Sequence, residues 1–210
     1  MSLNNISACM FLLVCCLGGT RGFESVWTDL GALRYDLSYC EESEDESALA
    51  WPVVGRFKAE GGFAGCHMIP IAGTTNSGIR MFAWTQRFVL VLARAGYEEG
   101  WAFRRPDGSR AKAADYRENL FEKLERIQST STLIDPECNV WSDYGVQRSG
   151  RRFLTTHATI MGVPPHVLEL QMRWSTDRAA GARTVHRSMV HTYSEIRNMK
   201  ETLKQPSQVC

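Results

Sequence analysis

Residues 147–174 read QRSGRRFLTTHATIMGVPPHVLELQMRW. Arg148, Arg151 and Arg152 crowd the start of an apolar run with helical spacing. Gly162 ends that run, and Pro164-Pro165 suit the first turn of the next, which closes on Arg173 and Trp174. The spacing predicts helices over about 149–161 and 164–173. A guanidinium on a helix that must also pack is costly unless an anion meets it. Two anions answer that need: a carboxylate inside the protein, or a phosphate outside it.

Working outward, the rest of the chain is also mostly helical in pattern. Residues 6–17, apolar but for Ser7, read as a buried helix closed by Gly18-Gly19. Next, TRGFESVWTDLGALRYDL reads as one further helix, with Thr20 as its N-cap, Glu24 in its first turn, and Phe23, Val26, Trp27 and Leu30 at spacings of three and four. The acidic residues 41–46 mark a surface loop. Two apolar runs, 49–54 and 67–71, flank a Gly-rich turn and predict a β-hairpin, with Pro52 confining part of the first strand to an edge.

Residues 78–97 have helical length and period. A Pro-Asp-Gly turn at 106–108 sits between short extended pieces. Tyr116, Leu120, Phe121, Leu124 and Ile127 then form one face of an amphipathic helix. Residues 129–147 read as loop, and a last helix falls at 188–204. The fold class is therefore mainly α with a small antiparallel β-sheet (α+β), in one domain over 1–205 with a tail at 206–210.

Composition narrows the function less than distribution does. The chain has 210 residues, 44% hydrophobic and 22% charged, an ordinary core-forming balance with a formal net charge of +1. Between 148 and 200, however, nine basic residues face three acidic ones. Such local excess suits an anionic partner, or equally a solvated basic face. Seven cysteines with no Cys-x-x-Cys or Cys/His pairing spell neither a disulfide framework nor a zinc site. They read as free thiols in a reducing compartment, nuclear or cytoplasmic. The apolar stretch ACMFLLVCCLGG lacks the basic residues that precede a secretory core and is too short to span a bilayer, so no membrane partner is expected. There is no P-loop, and no carboxylate cluster suited to a divalent cation, so neither a metal nor another cofactor is called for.

The chemistry centres on arginines and a tyrosine. Tyr193 lies in VHRSMVHTYSEIRNMK, at the front of a polar helix. Its hydroxyl, with an ordinary pKa of about 10, is a poor nucleophile at neutral pH. Guanidinium groups around a phosphate change that balance by stabilising charge in a phosphoryl transition state. In order, the chain carries Gly19-Thr20-Arg21-Gly22-Phe23-Glu24, Lys58 in RFKAEGG, Arg148-Ser149-Gly150-Arg151, Trp174 in LQMRWS, and Tyr193. This ordered set resembles the tyrosine recombinase (phage integrase-like) family, in a truncated or divergent eukaryotic or mobile-element copy.

The resemblance implies that family's catalytic-domain fold and DNA strand breakage and rejoining. In it, Arg21, Arg151 and Arg148 clamp the scissile phosphate, Lys58 protonates the leaving 5′ oxygen, Trp174 packs at the site and Tyr193 attacks phosphorus. Arg152, Arg173 and Arg187 fall to the DNA backbone. The implied partners are DNA and further copies of the chain on DNA. Three departures stand out: Arg148 replaces a His or Lys and cannot exchange protons at neutral pH; the Trp174–Tyr193 gap is nineteen residues; and no N-terminal DNA-clamping domain is present. They leave open a DNA-binding protein of this fold that does not cleave. Simpler roles also stand beside the catalytic ones: an Arg21–Glu24 surface pair, Lys58 as an edge-strand lysine, and Trp174 as core.

Overall fold

The computed structural model describes residues 2–56, 64–171 and 207. Eight helices and one β-hairpin are found there, a mixed α+β architecture as the periodicity predicts. Helix α1 (Leu3–Leu17) is capped by Ser2 and ends at Gly18. Its residues Ile6, Met10, Phe11, Val14 and Leu17 are buried, and it packs against α4 (Met81–Arg94), α5 (Arg117–Thr130) and α7 (Ser149–Ile160). The apolar N-terminal stretch is thus the central helix of the core. Among the described residues, no helix is long and apolar enough to cross a membrane.

The single helix expected after Thr20 is two. Helix α2 (Gly22–Ser25) is one turn, capped at Arg21 rather than Thr20, and α3 (Leu30–Glu42) starts afresh with Asp29 accepting the Ala32 N–H at 2.8 Å. Between them the backbone is claimed from both sides. Val54 N–H donates to Trp27 O at 2.8 Å, Ala102 N–H to Thr28 O at 3.0 Å, and Leu30 N–H to Gly100 O at 2.8 Å. Pairing with two extended neighbours outcompetes the local helical bonds. Phe23, expected on the buried face, is 42% exposed.

Strands β1 (Ala48–Arg56) and β2 (Ala64–Ala72) pair antiparallel, with Ala48 opposite Ala72 and Pro52 opposite Met68. Asp36 on α3 is buried and accepts the Ala50 N–H at 2.8 Å, tying helix to sheet. Helix α6 (Val140–Asp143) is a single turn inside the expected loop, capped by Asn139. After α7, Gly162 turns at φ 78° into α8 (Pro165–Gln171). Two late residues dock on β2: Gln171 Nε2 donates to Pro70 O at 3.0 Å, and the buried Ser207 hydroxyl accepts the Ala72 N–H at 2.8 Å. The helix expected at 188–204 lies outside the described residues.

Candidate functional site

Two of the arginine-bearing segments meet. The turn after α1 carries Gly19 at φ 61° and leads into Arg21 at the cap of α2. The segment before α7 carries Arg148. The Gly22 N–H donates to Gln147 O at 3.1 Å, so Arg21 and Arg148 are each chain neighbours of a directly bonded pair. Glycine is required at this approach, because a Cβ on Gly22 would lie 2.3 Å from Val146 O. Gly150 does the same between α7 and α1: its Cβ would lie 2.6 Å from Cys15 Cβ. Both glycines sit inside the arginine boxes, and that neighbourhood was the available sign of close approach.

At the centre is Glu24, only 2% exposed. Its carboxylate accepts the Arg21 backbone N–H at 2.8 Å and Arg21 Nη1 at 2.9 Å. Arg151 Nη1, on a side chain also buried, stands 3.6 Å away, an ion pair longer than a hydrogen bond. The Arg21–Glu24 pair is therefore a largely buried device shared with Arg151, where the sequence suggested a surface pair. Arg148 at the cap of α7 and Arg152 one turn on are exposed. Two guanidiniums, one from each box, thus meet one carboxylate, and the Arg21 side chain keeps 32% exposure. An internal carboxylate thus meets two of the arginines, while Arg148 and Arg152 face outward.

A small polar network supports the turn. The Thr20 hydroxyl donates to Val14 O at 3.2 Å and bonds the Ser25 hydroxyl, which also meets Cys15 Sγ at 3.0 Å. Burial pushes the Cys15 thiol up to about 12, so it stays protonated and takes no nucleophilic part. Beside the cluster, α1, α5 and α7 border a cavity of about 520 Å³ whose lining is almost wholly apolar, including Leu12, Leu124 and Phe153. It offers an anion little.

Arg21, Arg148, Arg151 and Arg152 are thus brought to one region. Lys58, Arg173, Trp174, Arg187 and Tyr193 lie outside the described residues. Compared with known proteins, the chain matches no family model, no curated protein and no solved structure.

Proposed function

We propose that this chain is a DNA strand transferase with the catalytic-domain fold of the tyrosine recombinases. One observation carries the reading: Arg21 and Arg151, from two boxes far apart in sequence, converge on one buried carboxylate, with Arg148 exposed beside them. The shared carboxylate orients the Arg21 fork through a hydrogen bond and draws Arg151 beside it by charge, and a preset fork binds phosphate oxygens without reorganising at the moment of reaction. The antiparallel β1–β2 pair also suits the family plan, and Lys58 follows β1 in the sequence.

In this reading the Tyr193 oxygen attacks phosphorus and loses its proton to solvent. The bond from phosphorus to the 5′ oxygen breaks, and Lys58 protonates that oxygen as it leaves. The product is a 3′-phosphotyrosyl link and a free 5′-hydroxyl, and attack by a 5′-hydroxyl reverses the step. The phosphodiester energy stays in the covalent link, so neither nucleotide nor metal enters. Trp174 packs at the site, while Arg152, Arg173 and Arg187 hold the backbone, on a nuclear or cytoplasmic DNA target that several copies engage together.

Incubation with nicked duplexes, in which cleavage frees a short fragment, tests this. The expected product is a denaturant-resistant protein–DNA adduct mapped to Tyr193 and absent in Tyr193→Phe. A second reading, a non-cleaving DNA binder of this fold, is favoured by Arg148, which stays charged where proton exchange is needed. It predicts binding that weakens steeply with salt and no adduct at any time point.

A further inference from the structure

Helix α4 presents a second cationic surface, away from the arginine boxes in sequence. Arg80, at its cap, and Arg87 follow one another at a heptad, roughly 10.5 Å apart along the axis, with Trp84 between them. Arg94 continues the line at the next heptad. All three arginines are exposed, and Trp84 is half-buried. Arg80, Trp84 and Arg87 border a depression of about 640 Å³ together with Ser77, Gly78 and Ala83. Among the described residues its lining contains no carboxylate.

The turn that leads into α4 beside the depression is held by hydrogen bonds. Thr75 Oγ1 accepts the Ile79 N–H at 3.0 Å and bonds Ser77 Oγ at 2.9 Å, and Gly78 turns at φ 84° with open space where a Cβ would sit. One acidic residue meets another face of the helix. Glu41 takes the amide of Gln86 at 2.8 Å, roughly a third of a turn around α4 from Arg80.

We propose that the Arg80–Trp84–Arg87 face of α4 binds unpaired nucleic acid, the indole stacking on a base while the two guanidiniums hold flanking phosphates. Charge complementarity sets the class of ligand: two forks matched to phosphate oxygens, with no acid among the described residues that line the depression. The indole narrows it further. A duplex keeps its bases stacked on each other, whereas a single strand offers each base face to an aromatic ring. The surface thus gives the protein a means of holding a displaced or frayed strand. It goes beyond strand transfer at Tyr193 and stands without it.

Fluorescence anisotropy on the full chain tests this with three labelled probes of equal length: oligo-dT of about twelve nucleotides, an abasic oligomer and a blunt duplex. Oligo-dT is expected to bind roughly tenfold tighter than the abasic strand, a preference that Trp84→Ala removes. Arg80→Gln with Arg87→Gln, both at exposed positions, is expected to make the salt dependence for oligo-dT shallower by about 1.4 log units per log unit of salt. Equal affinity for oligo-dT and the abasic strand in the unaltered protein overturns the stacking role with no variant needed. An unchanged salt slope in the double variant overturns the phosphate role. Tighter binding of the duplex than of oligo-dT, lost in that variant, makes the face a duplex contact and overturns the proposal. Anisotropy reads binding alone, so a missing Tyr193 adduct leaves this inference untouched, and a missing base preference leaves the adduct assay untouched.

Discussion

Glu24 lies within reach of two guanidiniums while itself 2% exposed, and Arg151 is almost as deeply placed. Removing one partner of such a pair leaves a charge stranded in a poorly solvated site. Glu24→Ala is expected to destabilise the fold by about 3–5 kcal/mol in urea titration. Arg21→Ala, from a side chain a third exposed, is expected to cost about 1 kcal/mol or less. Equal losses from the two would show that Glu24 does not support Arg151. Arg148 and Arg152 stand apart from this: both are exposed, so their substitution is expected to leave stability within about 0.5 kcal/mol. The Arg21–Glu24 spacing was legible as an i, i+3 pair, but Arg151 is far away in the chain, and no local pattern assigns it to that carboxylate.

At the scale of elements, the α1–α7 contact sets the arginine cluster. Gly150 lets the first turn of α7 lie against the backbone of Cys15, and the Gly22–Gln147 bond fixes the approach from the other side. Gly150→Ala would bring a methyl to 2.7 Å from the Cys15 carbonyl carbon, which is backbone and cannot swing aside. It is expected to cost about 1–3 kcal/mol, through displacement of α7. Gly145→Ala, whose Cβ would meet nothing nearer than Ser149 Oγ at 3.9 Å, is the control, expected within about 0.5 kcal/mol of the unaltered protein. Thermal and urea unfolding of both variants decide it. Periodicity places α7 well, because one apolar stripe must be buried. It misses the break between α2 and α3, because Trp27, Thr28 and Leu30 bond to Val54, Ala102 and Gly100, neighbours that local spacing cannot show.

Across the whole molecule, an aromatic cluster joins sheet, helices and loops. Phe103 is fully buried, with ring centroids 5.4 Å from Phe88, 6.0 Å from Tyr116, 6.3 Å from Phe11 and 6.4 Å from Trp51. These neighbours come from α4, the 3-10 turn Ala113–Tyr116, α1 and β1. Phe103→Ala removes a ring at the junction of all four and is expected to cost about 3–5 kcal/mol, read as a lowered midpoint of one cooperative transition. A loss below about 1 kcal/mol would mean that these elements do not share one core.

By itself the sequence determined the class of fold. The apolar runs at 6–17, 49–54 and 67–71, the amphipathic face from Tyr116, and the glycine and proline punctuation at 162–165 each act over a few residues, where burial and turn chemistry are encoded locally. It also collected the arginines into recognisable boxes. Only the tertiary structure decided what those arginines do to one another. Ion pairing depends on distance in space, and the Gly22–Gln147 and Gly150–Cys15 approaches alone bring Arg151 to Glu24 while leaving Arg148 exposed.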